Sequence, residues 1–346
     1  MGIGDAEDVW VTLTENGIPL SCLYLRKEDL TDYFAGKLSG DEFLYLSTSG
    51  VQVEPLTGVR RQCEKRFDYQ LKPSIETFLN DPSGFFRYRL GISASGTCRP
   101  WSGASFVAGL AAYPVNNVRT TNDPLSVPVR SDIVDYKKEH LALDKLLFDQ
   151  IERITPRVFG RFSAGLLEIQ YAGFDGELAA PVLDGRVMLG LSGSAVKKRA
   201  PARPFGLKDD DSKDIYTTAF LNTRINLPEY DMALDLKAGR FLAGDKGVRI
   251  TVSKFVRGVV LYAWYSVTDT SIFRDEFNRH YHDKGFGVVI PLRLFEGKDT
   301  RTTVNYALSP WTRDVAQDIV HHNPLFDFIG RNTKVFLDRD GEMMRE

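Results

Sequence analysis

From about Gly84 to Ser309 the chain is a succession of segments in which polar and apolar residues alternate, joined by connections that are short and long by turns. Successive strand side chains point to opposite faces, so a period of two gives each strand one apolar side and one wet side. Phe86, Tyr88, Leu90, Ile92 and Ala94 share one parity, against Arg87, Arg89, Gly91, Ser93 and Ser95 on the other. Met232, Leu234, Leu236 and Ala238 stand in the same way against Asp235 and Lys237, and Val248, Ile250 and Val252 against Arg249, Thr251 and Ser253. Phe286, Val288, Ile290, Leu292 and Leu294 form a further apolar row opposite Gly287 and Arg293. The pattern dictates a mainly β fold. A water-soluble sandwich shows the same alternation, so the solvent around the apolar rows must be argued from elsewhere.

The connections carry that argument. Strands are expected at roughly 67–79, 85–98, 104–115, 141–153, 157–169, 177–182, 185–197, 215–227, 231–241, 247–256, 258–268, 285–295 and 301–309. Most approach the ~9–11 residues with which a tilted strand crosses a bilayer. The links at Thr155-Pro156, Leu183-Asp184, Pro228-Glu229, Arg257 and Glu296 to Thr300 are tight, whereas 116–140, 170–176, 198–214, 242–246 and 269–284 are longer. Short turns on one rim and loops on the other describe an antiparallel up-and-down transmembrane β-barrel, here of about 12–14 strands. That parity puts the turn from Arg99 to Gly103 on the periplasmic side, and the N-terminal module with it. Polar stretches such as Lys208 to Asp214 and Thr120 to Pro124 read as solvated loops. The run Asp209-Asp210-Asp211 lacks the ligand alternation and glycine of a calcium loop.

Residues 1–65 differ in character. Glu15-Asn16-Gly17 joins two short strands, Val9 to Leu13 and Ile18 to Leu25, as a hairpin. A helix from Arg26 to Ala35 stops at Gly36, and Ser39 with Glu42 forms a capping box that starts a second helix through Leu46. A linker follows from Thr48. The expected organisation is therefore a small periplasmic α/β module and linker over 1–65, an outer-membrane barrel over 66–337 and a tail over 338–346.

Composition removes some classes and is blind to others. Lys+Arg 44 against Asp+Glu 46 leaves a formal net charge of −2, without the basic excess that a phosphate backbone demands, so no nucleic-acid partner is expected. Mean hydropathy of −0.23 and the lack of any ~20-residue apolar run exclude membrane helices, but a barrel shows lipid only every second residue. Cys22, Cys63 and Cys98 have no metal-ligand spacing, and a Cys22–Cys63 bridge needs an oxidising compartment. Residues 1–8 show no charged n-region and apolar h-region, so the membrane reading requires a mature or shortened chain.

Six strings resemble one family and occur in its order: Asn80-Asp-Pro-Ser-Gly-Phe-Phe-Arg-Tyr-Arg-Leu-Gly91, Val129-Arg-Ser-Asp-Ile-Val-Asp-Tyr136, Arg161-Phe-Ser-Ala-Gly-Leu-Leu-Glu-Ile-Gln-Tyr-Ala-Gly173, Gly239-Arg-Phe-Leu-Ala-Gly-Asp245, Asp283-Lys-Gly-Phe286 and Trp311-Thr-Arg-Asp314. They resemble the YjbH-type exopolysaccharide proteins, also called the group 4 capsule GfcD type, from about Val9 onward. The resemblance implies an outer-membrane β-barrel of polysaccharide export working beside periplasmic export proteins. Family chains are typically longer and carry a signal sequence, so this one resembles the C-terminal half of a member or a shortened relative. It ends without the terminal aromatic of many barrels, which places a closing strand further back, within Leu325 to Leu337, or implies a different assembly.

No P-loop, dinucleotide fingerprint or His-Glu-x-x-His motif is present. Ser194-Ala-Val-Lys197 lacks the companion motifs of the β-lactamase group and sits in a strand pattern. His280 with His282 and His321 with His322 lack carboxylate support, and Glu168, Glu177 and Asp235 are too scattered to form a glycosidase pair. The expectation is a protein that is not an enzyme and holds no metal or cofactor. By parity, Arg87, Arg89, Arg161, Asn222, Arg224, Asp235, Lys237 and Arg249 project into the lumen. Such a lining suits passage of a hydrated, often acidic polymer, or else its members pair with one another and plug a narrow barrel. Tyr113, Tyr216, Tyr262, Trp264, Tyr265 and Trp311 near strand ends read as interfacial girdles or as sugar-stacking platforms. The expected function is a conduit or scaffold for exopolysaccharide export or surface assembly. The alternatives are a non-transporting anchor for a periplasmic secretion partner and a soluble polysaccharide-binding β-protein. Polysaccharide, periplasmic export proteins and outer-membrane lipid are the expected partners.

Overall fold

The computed structural model describes residues 8–46, 48–50, 66–81, 83–201, 203–209, 211–291, 303–309 and 312–342. Asn16 and Gly17 both take positive φ, forming the two-residue turn that an Asn-Gly pair favours, and join β1 (Asp8–Glu15) to β2 (Ile18–Arg26). Helix α1 (Lys27–Phe34) follows, then α2 (Gly40–Leu46). The capping box at the head of α2 is formed: the Ser39 N–H and hydroxyl both donate to Glu42 Oε2 at 2.9 Å, and the Glu42 N–H donates to Ser39 Oγ at 3.3 Å. Strand β3 (Thr48–Gly50) adds to β2 and completes a three-stranded sheet.

A second sheet contains thirteen strands, each bonded antiparallel to its neighbour in sequence. They are β4 (Phe67–Asp81), β5 (Gly84–Cys98), β6 (Ala104–Asn116), β7 (Leu141–Thr155), β8 (Val158–Leu166), β9 (Tyr171–Val182) and β10 (Val187–Lys198). After them come β11 (Tyr216–Leu227), β12 (Met232–Arg240), β13 (Lys246–Val256), β14 (Val259–Thr268), β15 (Lys284–Pro291) and β16 (Thr303–Leu308). The alternation therefore identified the sheet. One boundary moves substantially. The stretch 170–176, expected as a loop, is the first half of β9, and the connection is a tight turn over 167–170 in which the Leu167 and Glu168 N–H groups donate to the Tyr171 carbonyl. Short turns do line the opposite rim, among them Arg257-Gly258 with positive φ at both positions. The expected link from Glu296 to Thr300, the residues Leu292, Arg293 and Leu294, and Cys63, Asp210 and Trp311 lie outside the described residues.

The described strands form a curled sheet that is not closed into a barrel. The sheet curls until the Thr77 hydroxyl on β4 and the Tyr306 hydroxyl on β16 lie 2.6 Å apart, but the described strands β4 and β16 share no ladder. Twelve antiparallel steps between thirteen strands leave the first and last running the same way, so the antiparallel pairing used everywhere else is not available at this seam.

The two faces of the sheet are inverted relative to a water-soluble protein. Phe86, Ile92, Leu221 and Phe286 are 52%, 54%, 55% and 60% exposed on the outer face, while charged residues such as Asp149 and Arg161 are buried on the inner one. Apolar packing is concentrated at the two ends of the inner face. At the long-loop end Val129, Tyr171, Tyr216, Phe220, Phe241, Phe273, Val315 and Ile319 pack together. At the short-turn end Ile18 and Leu20 of the N-terminal hairpin pack with Ile151, Phe159, Met188, Leu325, Phe326 and Ile329. The loops 117–140, which carries α3 (Ile133–Lys137), and 269–283 thus fold inward over the mouth. They reach inward through single residues such as Val129 and Phe273, while Thr121 to Pro124, like Asp209 and Asp214 of the 208–214 run, are exposed as their polarity suggests. The closing strand expected within Leu325 to Leu337 is not formed: that stretch holds α4 (Leu325–Ile329) and the start of α5 (Lys334–Glu342).

Candidate functional site

After β16 the chain turns back into the curled sheet, and residues 312–329 run along its inner face from the long-loop end to the short-turn end. The contacts of this insert with the wall define the site. At the long-loop end, Asp314 Oδ1 accepts the N–H groups of Val129, Arg130 and Ser131 at 2.9, 2.7 and 2.9 Å, and Oδ2 accepts Asn278 Nδ2 at 3.2 Å. One carboxylate therefore organises the inward-folded loop. The Arg130 guanidinium donates to Glu168 at 2.5 and 3.1 Å, to Gln170 Oε1 at 2.7 Å and to the Asp318 carbonyl at 2.6 Å. Glu168 Oε2 also accepts the Val320 N–H at 2.8 Å, so the loop, the wall and the insert meet at one ion pair. Lys198, fully buried, donates to Asp132 at 2.6 Å and to the Pro128 carbonyl.

Further in, Arg249 donates to the Ala316 carbonyl at 2.5 Å and to Asp283 at 2.9 Å, and Asp245 accepts the Ala316 N–H at 2.8 Å. Lys237 meets Asp318 at 2.7 Å. His321 bridges two carboxylates, with Nε2 3.1 Å from Asp318 and Nδ1 3.0 Å from Asp175. Arg161 lies among Asp175, Ser163 at 2.7 Å, Glu177 at 3.4 Å and Asp149 at 3.5 Å, and Glu177 accepts the Leu325 N–H at 2.9 Å. Near the short-turn end Arg224 pairs with Asp235 at 2.6 Å and with Asp327 at 2.8 Å, while Arg331 and Arg339 reach Asp231 at 3.2 and 2.5 Å.

The two adjacent histidines of the insert are driven in opposite directions. Burial disfavours the charged form of His321, but the Asp318 and Asp175 carboxylates outweigh it and raise the imidazole to about 9. It is a cation at neutral pH, with both ring N–H groups donating. The Asp318 carboxyl resists the effect of burial because Lys237 and His321 hold it well below the usual carboxylate range. His322 is pushed down to about 4 by burial and by Lys145, Arg161 and Arg99, so it is neutral. The insert is therefore keyed to the wall by charges that cannot be removed singly without leaving a partner buried and bare.

Comparison with known proteins shows the family. The family model YjbH, described as "Exopolysaccharide biosynthesis protein YbjH", matches residues 4–331. The chain belongs to the YjbH exopolysaccharide biosynthesis family. A relative from Escherichia coli (strain K12), "Uncharacterized lipoprotein YjbH", is 25% identical over 336 residues, which is 92% of this chain and 47% of the relative. The chain thus spans about half the length of the curated relative it matches. Among solved structures, OmpT (in-vitro folded), an outer membrane protein of Vibrio cholerae, aligns at 10% identity with a TM-score of 0.31, over 74% of this chain and 92% of that one.

In this YjbH-family chain the inner face holds nearly all of the residues that parity assigned to a lumen, and most are engaged. Arg89 pairs with Glu76 at 2.7 Å and lies over the Tyr113 ring at 3.8 Å. Asn222 donates to Ser192 Oγ at 2.9 Å. Arg161, Arg224, Asp235, Lys237 and Arg249 belong to the network around the insert, with Lys237, Arg249 and Arg224 bonded to it directly. Arg87 stands apart at the loop end of β5, bonded to the Ser83 carbonyl. Glu168, Glu177 and Asp235 do not converge; each is bound to a different guanidinium. The aromatic reading needs correction. Tyr113 and Tyr216 are buried on the inner face, and Tyr262 and Trp264 pack over Gly287 and Gly285 there, leaving Tyr265 exposed on the outer side. Outward aromatics at the short-turn rim are instead Phe67, Tyr69, Trp101 and Phe106. Sequence reasoning also missed Arg130, Asp132, Asp149, Asp175, Lys198, Asp314 and Asp318 as site residues. Three of these, Arg130, Asp132 and Asp314, lie in the strings Val129 to Tyr136 and Trp311 to Asp314, the one signal that pointed to them.

Proposed function

We propose that this YjbH-family chain is an outer-membrane β-barrel serving exopolysaccharide export or surface assembly, without a catalytic step, and that its C-terminal insert fills the lumen until it is displaced. The observation that carries this reading is the inverted sheet: exposed Phe86, Ile92, Leu221 and Phe286 outside, charged side chains buried inside. Exposed apolar rows of this extent are stable only against lipid or another apolar surface. Family membership supplies the polysaccharide, and the name of the E. coli relative, a lipoprotein, agrees with the cell envelope. The short-turn rim, with the N-terminal hairpin docked at Gly103 and Arg153, faces the periplasm and its export proteins.

In this reading the polar interior serves first as a scaffold for the insert, and polymer passes only when the insert moves. The test is a bridge across the contact of Lys237 with Asp318, made as Lys237→Cys with Asp318→Cys and closed by a short bis-maleimide. Bridged protein should remain in the membrane with heat-modifiable gel migration while polymer release stops. Unchanged release would favour a barrel that merely anchors the N-terminal module. A chain that needs no detergent and migrates alike before and after boiling would refute the membrane reading itself.

A further inference from the structure

We propose that a cavity on the inner face at the short-turn end is a binding site for an acidic saccharide, one or two sugar rings carrying a carboxylate. This deepens the export reading and rests on it for the source of the ligand. The cavity has a volume of about 260 Å3 and is walled by the hairpin tip at Asn16, the inner faces of β4 and β5 with Ser105 and Lys145 beside them, and the insert at His322 and Phe328. It is just below the ~300–1,000 Å3 of pockets for drug-sized ligands, a size that suits a short glycan segment.

What distinguishes it is the state of its polar groups. Elsewhere on the inner face the charged side chains described above are bonded to one another, to backbone carbonyls or to the insert. Here the side chains of Gln70, Lys72, Ser95, Thr97 and His322 make no hydrogen bond to protein among the described residues. Polar groups turned into a cavity without protein partners are left for water or a ligand. Their chemistry is that of a sugar site: an amide and two hydroxyls to exchange hydrogen bonds with ring hydroxyls, and the Phe328 ring to cover an apolar sugar face.

The cations select for acid. Lys72, Lys145 and Arg99 line the cavity against Glu15 and Asp68, and Asp68 lies 3.8 Å from Arg99. The positive surroundings are registered independently by His322, which Lys145, Arg161 and Arg99 help to keep neutral. A neutral imidazole donates from one nitrogen and accepts at the other, as a sugar hydroxyl requires. The site also lies beside the Asn16 turn, which is fixed to the wall by Asn16 Nδ2 donating to Ser105 Oγ at 3.2 Å. Polymer arriving from the short-turn side meets the site where the hairpin, the wall and the insert come together.

The test uses the full chain in detergent micelles, with cellobiouronic acid and its neutral counterpart cellobiose as probes, read by saturation-transfer NMR and calorimetry. The acidic disaccharide should bind at least tenfold more tightly than cellobiose. Lys72→Gln should erase that preference while leaving weak binding of both, Phe328→Ala should lose both, and Phe328→Tyr should retain them. Heat-modifiable migration verifies that each variant is folded, and Lys37→Gln on the N-terminal module serves as the unchanged control. No transfer to the folded wild type, or affinity indifferent to Lys72→Gln and Phe328→Ala, overturns the site. Binding as expected in a protein whose bridged Lys237→Cys, Asp318→Cys variant releases polymer normally upholds the site and refutes the export reading. Loss of release on bridging the insert without any saccharide binding does the reverse.

Discussion

His321→Gln should loosen the insert in neutral solution and make no difference in strongly alkaline solution. The imidazole side chain is 14% exposed between Asp175 and Asp318, so solvent screening takes little from the interaction. Its folded pKa of about 9 against an ordinary 6.5, at ~1.4 kcal/mol for each tenfold change in proton affinity, makes docking of the insert tighter by about 3 kcal/mol. Because the folded value is the raised one, that contribution is fully present below pH 6.5 and fades as pH rises through about 9. Glutamine keeps a donor but not the charge. At pH 6 the insert of the variant should therefore open on the order of a hundredfold more often than that of the wild type, with the two converging above pH 9. The assay is hydrogen exchange in the 315–330 peptides, expressed as protection relative to intrinsic exchange so that the pH dependence of the chemistry cancels. A variant offset that stays constant from pH 6 to 10, or protection at pH 6 equal to that of the wild type, would refute the reasoning.

Other substitutions probe separate parts of the network. Arg161→Ala leaves Asp149, Asp175 and Glu177 without their shared cation and should cost about 3–5 kcal/mol, lowering the temperature at which gel migration shifts. Asp314→Ala strips three backbone N–H groups of their acceptor, so proteolysis within 117–140 should accelerate while cleavage in 208–214 is unaffected. Gly287→Val places a side chain where the Tyr262 ring lies, 2.4 Å from the position of a Cβ; the expected cost is about 1–3 kcal/mol, accompanied by changed fluorescence of the neighbouring Trp264.

Much of the sheet was legible in the residues because its signal is local. A strand's period of two is written in consecutive positions, and the parities of β5, β12, β13 and β15 read from the chain match the faces in the structure. The same locality explains the error at β9. Tyr171 to Gly176 is rich in glycine and acid and resembles a loop, but its inward Tyr171 and Asp175 are satisfied only by partners distant in sequence, Val129 and Arg161 with His321. The aromatics failed in a related way. Trp264 and Tyr262 read as rim residues until Gly285 and Gly287, opposite them on β15, are seen to leave room for their rings.

The sequence by itself determined that this chain forms an antiparallel meander with one apolar and one polar face, that an α/β hairpin module precedes it, and to which family it is similar. Only the tertiary structure decided what the polar face holds in the folded state. Whether Lys237, Arg249 and Arg224 line an empty path or grip a plug depends on residues roughly 70–100 positions later, Ala316, Asp318 and Asp327, which carry no periodicity of their own. A strand's pattern records which side of it is wet. It does not record whether the wet side meets water, a polymer or the protein's own C-terminal segment, because all three satisfy a buried charge with the same hydrogen bonds.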